Sequence, residues 1–410
     1  MEESTRYLLI GGGPTSVWAA QNIRERDPEG GILILCGEKH PPYDKPPLSK
    51  QYLLKDDYQP EDAYTKFDHF YPENRIQLHV GSRAVKIERD ARIVTLEDGH
   101  TIRYEKLLLA TGASPRKLDI PGASLNGIFY LRTLEDSEAI RNAMQHSRRA
   151  VMIGAGYIGM EVAAACSARG LETTVIETAG YPWARFASPT MGHFLQNYLE
   201  ERGVKFLFGE EPQSFVGEGA ISAVRTASGK EIPADFVVVG VGATLNSELA
   251  KEAGLEIGDR GGVVVNEYLH TSDPNIWAAG DIALFNDIVS ERQWHIEHHQ
   301  NAKWQGRAVG AIMAGEQKPY NQVPYFFSDV LDIHMALRGA PSEEWKTTTL
   351  GNLNAGEFVE LYFDHADTLR MGIAISHEEP KLDPASDKLE ELIRAKAKVT
   401  GLTAADFGFP

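Results

Sequence analysis

The chain has 410 residues, 42% hydrophobic and 24% charged, too long for one ordinary core, so two or three globular domains are expected. A formal net charge of −17 argues against nucleic acid or an acidic membrane as the main partner, and no apolar run has transmembrane length. The only cysteines, Cys36 and Cys166, lie far apart in apolar surroundings, which excludes a dithiol relay by inventory.

Tyr7 to Ile10 reads as the first strand and runs into Gly11-Gly12-Gly13-Pro14-Thr15-Ser16. Pro14 to Arg26 reads as a helix, and Gly31 to Cys36 as a second strand leading to Glu38. The first strand begins within a few residues of the N-terminus, with no apolar stretch flanked by a cleavage site, so the expected compartment is the cytoplasm. Pro41, Pro42, Pro46 and Pro47 predict a stiff, non-helical loop through Lys50. A hairpin at Glu97-Asp98-Gly99 precedes Leu107-Leu108-Leu109-Ala110-Thr111-Gly112, and Gly112 to about Leu131 reads as a crossing segment.

A second strand–helix–strand pattern starts at Ala150 and carries Gly154-Ala155-Gly156-Tyr157-Ile158-Gly159. Its helix runs from about Tyr157 to Ala168 with Gly170 as cap, and its next strand, Thr173 to Ile176, ends at Glu177. Phe236 to Val241 reads as a buried parallel strand, and Ile276 to Ala279 as a strand ending at Gly280-Asp281. From about Gln322 the texture changes. Lys346 to Leu350, Glu357 to Phe363 and Thr368 to Ile375 predict a β-meander, capped by a charged helix from about Asp383 to Lys398.

Each glycine motif stands between a strand and a helix, with an acid at the end of the next strand. The glycines let the backbone turn tightly and approach a pyrophosphate, whose charge meets the amides of the helix N-terminus. The acid hydrogen-bonds the ribose of the adenosine half. Ser16 replaces the third glycine of the first copy, whereas the second copy keeps all three. A carboxylate at Glu177 repels a 2′-phosphate, which favours NADH over NADPH.

Together with these motifs, Tyr43-Asp44-Lys45-Pro46-Pro47-Leu48-Ser49-Lys50, Ala110-Thr111-Gly112 and Ala279-Gly280-Asp281 resemble the FAD-dependent pyridine nucleotide oxidoreductases. The chain is most similar to the oxygenase-coupled NADH:ferredoxin reductase family, related to apoptosis-inducing factor and monodehydroascorbate reductase, and the resemblance spans essentially all of it. It implies an α/β fold with two Rossmann-like domains of the glutathione-reductase type plus a C-terminal α+β domain. Residues 1–112 and 244–321 would bind FAD, 113–243 would bind NADH, and 322–410 would form the last domain.

The same resemblance implies the site. The motif Gly11, Gly13, Pro14, Thr15 and Ser16 would hold FAD, with Glu38 and Lys45 at the adenosine and phosphate end. Val80, Ala110, Thr111, Gly112 and Arg132 match further FAD-contact positions, and Gly280-Asp281 would meet the ribityl chain. Lys50 would sit beside the flavin N5 and pair with Glu161, a cation that favours the anionic reduced flavin. Glu297, His298 and His299 would lie along the pyrimidine edge, and Phe327, after Phe326, would face the isoalloxazine where the family often has Trp. Gly154, Gly156, Tyr157, Ile158 and Gly159 would hold NADH, with Glu177 on its ribose, Arg185 at the adenosine end and Gly242 near the carboxamide. His295, His298 and His299 have helical spacing for two metal ligands, but no cysteine or second acidic cluster supports them, and no metal is expected.

Two cysteines cannot hold an iron–sulfur cluster, so the one-electron acceptor implied is a separate, ferredoxin-like protein. Such partners are usually acidic. Against a charge of −17, either a basic patch gathers at the flavin edge or the acceptor is not a ferredoxin. A monodehydroascorbate-type reductase and a redox-sensing interaction protein are the alternatives, and the C-terminal meander is open to use as a homodimer face or a docking surface.

Overall fold

The four residues Tyr7 to Ile10 are buried and finish the strand Glu3–Ile10, whose exposed end is polar. In the computed structural model, which describes residues 3–342 and 344–410, this strand lies between the parallel strands Ile32–Leu35 and Thr101–Leu109. The sheet runs Ile76–His79, Ile32–Leu35, Glu3–Ile10, Thr101–Leu109, Ile93–Leu96, Ala84–Glu88, and Ile276–Ala278 pairs in parallel with Thr101–Leu109. Strand order reverses between Glu3–Ile10 and Thr101–Leu109. Open α/β sheets bind ligands at such a reversal, beyond the carboxyl ends of the strands. Helix Pro14–Arg26 follows the first strand, and helix His299–Met313 packs on it backbone to backbone: a Cβ at Gly306 would stand 2.5 Å from the Thr15 carbonyl oxygen.

The chain divides into two units, and this sheet belongs to the first, which comprises the chain up to Lys45, Pro60–Ser114 and Thr244–Gln322. The second comprises Pro46–Gln59, Pro115–Ala243 and Val323–Pro410. It contains a parallel sheet in the order Lys205–Phe208, Glu172–Glu177, Arg149–Ile153, Phe236–Val239, Ile128–Tyr130. Its order reverses between Arg149–Ile153 and Phe236–Val239, the counterpart of the reversal in the first unit. Val151, Ile153, Ile176, Val237 and Val239 join Phe215, Ile221 and Val224 of an adjoining antiparallel sheet in one apolar core.

The helix Tyr157–Ala168 falls where its pattern predicts, and Gly170 takes the left-handed conformation (φ +82°) just past it. Three expectations change. The proline loop is not free of helix: Pro46–Ser49 forms a 3₁₀ turn that continues into helix Gln51–Leu54. Proline suits the first turn of a helix, where its missing N–H has no partner to lose. The crossing segment contains the strand Ile128–Tyr130, and helix Leu134–His146 follows it behind a capping box of Thr133 and Asp136. The C-terminal meander is part of a five-stranded antiparallel sheet, ordered Tyr325–Val330, Ile333–Gly339, Leu369–Ser376, Glu357–Phe363, Lys346–Asn352, with helix Leu382–Arg394 following in sequence.

Cys36 and Cys166 are buried free thiols, each pushed up to about 12 by burial. A thiol so hard to ionise is a poor nucleophile. Among the described residues no helix is long and apolar enough to cross a membrane.

Candidate functional site

Each unit presents one glycine motif at its strand reversal, and the two are built alike. A Cβ on Gly11 (φ +134°) would stand 2.1 Å from the carbonyl oxygen of Ala110, and one on Gly154 (φ +96°) 2.5 Å from that of Gly240. Only glycine fits either place. Gly13 and Gly156 differ from them, because a Cβ on either meets nothing within 4 Å. Both glycines cap their helices without a side-chain hydrogen bond, so first-turn amides are left for an anion. Gly159 returns to a packing role, 1.9 Å from Cβ position to the Gly154 oxygen, whereas Ser16 is wholly buried and its hydroxyl has no partner among the described residues.

In the first unit, Thr15 and Gly280-Asp281 come together: a Cβ on Gly280 would lie 2.6 Å from the Thr15 hydroxyl. Gln305, which sequence reasoning did not single out, accepts the Gly280 N–H at 2.8 Å, while its own buried amide N–H has no partner among the described residues. Ala110-Thr111-Gly112 is fastened by Asn246, another omission, whose side chain donates to the Thr111 carbonyl at 3.0 Å and whose carbonyl accepts the Thr111 hydroxyl at 2.6 Å. Glu38 accepts from the Tyr43 hydroxyl and from Lys45 at 3.1 Å, and the Lys45 ammonium stands 3.9 Å from the centre of the Tyr43 ring. Val80 follows the edge strand Ile76–His79 and is 45% exposed, unusual for valine.

The histidine spacing is corrected by the structure. The helix starts at His299, and His298 is its extended cap, accepting the Gln300 N–H at 3.2 Å; His295 lies further out, 3.2 Å from Glu297. The helical spacing assumed for metal ligands therefore does not exist. His299 stands 3.7 Å from Asp44.

In the second unit, Lys50 and Glu161 meet at 2.9 Å, exposed by only 8% and 6%. The Glu161 carboxylate also accepts the hydroxyls of Ser49 and, at 2.6 Å, of Ser328. Burying a carboxylate this deeply is costly unless it is paired and hydrogen-bonded, and all three partners are in place. The Phe327 ring centre is 5.9 Å from the Lys50 ammonium. Tyr157 stacks on Phe186, with centroids 4.3 Å apart and planes at 11°, and burial pushes its hydroxyl far above the usual range. Ile158 beside it is 37% exposed.

Glu177 ends its strand as the motif requires, but both its oxygens already hold backbone. One accepts the Ala155 N–H of the glycine loop at 2.7 Å, the other the Ala179 N–H at 2.8 Å. Arg185 and Gly242 are exposed, and the Arg132 N–H is held by Asp136 at 3.0 Å ahead of helix Leu134–His146.

These features fit two dinucleotides. The open space beside Gly13 and Gly156, the uncapped helix termini and the unsatisfied Gln305 amide are places where a bound phosphate or hydroxyl would be satisfied rather than excluded.

A family model described as "Pyridine nucleotide-disulphide oxidoreductase" matches residues 5–306. Rhodocoxin reductase of Rhodococcus erythropolis is 36% identical over 352 residues, which covers 86% of this chain and 82% of that protein. The crystal structure of a ferredoxin reductase from Rhodopseudomonas palustris superposes with a TM-score of 0.87 at 35% identity, covering 91% of each chain. The covalent putidaredoxin reductase–putidaredoxin complex gives 0.89 at 32%, covering 94% of this chain and 93% of that one.

Proposed function

We propose, from the premise that this chain belongs to the pyridine nucleotide-disulphide oxidoreductase family, that it passes electrons from NADH through FAD to a separate ferredoxin-like protein. The observation that carries the proposal is the doubled glycine loop, one copy in each unit, in a chain whose only two thiols are buried apart. Two dinucleotides without a dithiol leave the flavin as the last internal carrier.

The residues have distinct tasks under this reading. First-turn amides after Gly13 and Gly156 bind the two pyrophosphates. Glu177 accepts from the NADH ribose, and Tyr157 begins the helix of the motif that holds the dinucleotide. Lys50, in the role the resemblance implies, would offer a positive charge to a bound flavin, and Glu161 would keep that charge fixed. FAD, when bound, converts a two-electron hydride into single electrons, which nicotinamide does not readily deliver. The unit boundaries at Ser114, Thr244 and Gln322 fall near the ends of a FAD-binding part of residues 1–112 and 244–321, but Pro46–Gln59 groups with the second unit, which holds the proposed NADH-binding part of 113–243 and the C-terminal part of 322–410 without dividing them.

An acidic acceptor has a place to bind despite the charge of −17. Around the Trp18 indole stand the Arg307 guanidinium at 4.1 Å and the ammonium groups of Lys66 at 4.3 Å and Lys303 at 5.2 Å. Burial first, then the neighbouring Arg307 and Lys303 charges, lowers the Lys66 ammonium below its usual range. Like charges grouped in this way favour an anionic partner. Phe67, next to Lys66 and 72% exposed, supplies an apolar anchor. Trp18 and Arg307 lie on the two helices that pack at the first glycine motif, which puts this patch beside the proposed flavin site. The cytoplasm is proposed as the compartment, consistent with unlinked thiols. The test is steady-state reduction of a panel of oxidised ferredoxins, rubredoxin, quinone and monodehydroascorbate under NADH. The proposal requires the iron–sulfur proteins to give the highest kcat/KM, and preference for an organic acceptor overturns it.

A further inference from the structure

We infer that Ser328 is a positioning residue for the Lys50–Glu161 pair, through which the C-terminal sheet sets the charge presented to the flavin. The inference rests on the role proposed above for Lys50.

The buried Glu161 carboxylate is contacted from two other segments. Lys50 and Ser49 come from the 3₁₀ turn Pro46–Ser49 and the residue after it, so they move together. Ser328 comes from the strand Tyr325–Val330, 167 positions away, and is 2% exposed. Its hydroxyl donates to Oε1 of Glu161, the oxygen that also meets the Lys50 ammonium. Ser49 takes the other oxygen. Ser328 is thus the one hydrogen-bond donor to Glu161, among the described residues, that does not ride on the lysine's own turn.

The consequence follows from sharing one oxygen. A carboxylate oxygen that accepts a hydroxyl has less need of the ammonium, and its orientation is fixed by two independent segments. Without the Ser328 hydroxyl, Oε1 has only Lys50 to satisfy it. The ammonium is then drawn toward Glu161 and supplies less stabilisation to a reduced flavin. Strand burial alone does not call for serine here, since valine or isoleucine suits a strand interior better.

The test compares the midpoint potential of the bound flavin, and its rate of anaerobic reduction by NADH, in wild-type protein, Ser328→Ala, Ser328→Thr and Lys50→Ala. Ser328→Ala is expected to lower the potential and slow reduction on the order of tenfold, the scale of one hydrogen bond to a charged group, with KM for NADH unchanged. Ser328→Thr, which keeps the hydroxyl, is expected to restore both. A merely structural role would instead lower FAD retention and melting temperature in Ser328→Ala and leave the potential of the retained flavin where it was, which overturns the inference. Lys50→Ala separates the two levels of the argument. If Lys50→Ala shifts the potential and Ser328→Ala does not, the positioning role fails and the Lys50 assignment stands. If neither shifts it, the reading of Lys50 falls first.

Discussion

Gly11 passes so near Ala110 that any side chain at position 11 would place its first carbon 2.1 Å from the Ala110 carbonyl oxygen. Two residues away, Gly13 faces open space. The same motif therefore holds one glycine required by the protein's own packing and one whose side the protein leaves open, for the ligand in the proposed reading. Gly11→Ala is expected to destabilise the protein with or without FAD, by more than the roughly 1–3 kcal/mol of backbone strain alone. Gly13→Ala is expected to leave the melting temperature of the apoprotein unchanged and to weaken FAD binding. Thermal unfolding of both variants, with and without FAD, checks the distinction.

Glu177 offers a second separation. Because it accepts the Ala155 N–H, Glu177→Ala loosens the NADH loop while it removes charge. Glu177→Gln removes the charge and keeps one carbonyl acceptor, so the Ala155 N–H can still be satisfied while the contact with the Ala179 N–H is lost. The ratio of kcat/KM for NADH to that for NADPH is expected to fall by about tenfold in Glu177→Gln, roughly 1.4 kcal/mol of discrimination. An unchanged ratio would remove Glu177 from the specificity determinants.

The cations around Trp18 give a prediction about salt. Reversing Arg307 or Lys66 to Glu is expected to lower the association rate with an acidic ferredoxin by about tenfold at low ionic strength, with the gap closing as salt rises. The rate of flavin reduction by NADH, measured without ferredoxin, serves as the control and is expected to stay the same.

Glu360 ties the C-terminal sheet to helix Pro189–Glu200. It is fully buried and accepts from the hydroxyls of Ser188 at 2.6 Å and Tyr362 at 2.5 Å. Burial raises its carboxyl above the usual range, and the two hydroxyls offset this only in part. The folded state therefore retains a proton that the unfolded chain releases near the ordinary carboxyl value. Stability falls as pH rises from that value until the folded-state group ionises. Glu360→Gln removes this term. The melting temperature of the variant is expected to gain on wild type as pH rises above the ordinary carboxyl value. A gap that stays constant with pH would show that Glu360 is ionised in the folded protein.

Much of this architecture was legible because its signals are local. A glycine motif, the apolar run before it and the helix after it occupy adjacent residues, and helix Tyr157–Ala168 falls where they predict. Helix Leu134–His146 also had a local sign, since Thr133 and Asp136 stand three apart as a capping box. The strand Ile333–Gly339 had none. It is buried at nearly every position, and burial on both faces erases the alternation that marks a strand. Ser328 and Gln305 were invisible for a different reason: their partners lie 167 and 25 residues away, at separations no local pattern encodes. The proline loop misled because a first-turn proline and a loop proline look alike in sequence.

Under the proposed function, electrons leave this protein one at a time from a flavin reduced by NADH. This is tested most directly by reducing the FAD-loaded protein anaerobically with stoichiometric NADH and mixing it with oxidised ferredoxin in a stopped-flow spectrometer. NADH is expected to bleach the flavin absorbance, and the colour is expected to return within the time of turnover as ferredoxin is reduced. A flavin that NADH does not bleach, or one that stays reduced for minutes in the presence of ferredoxin, would contradict it.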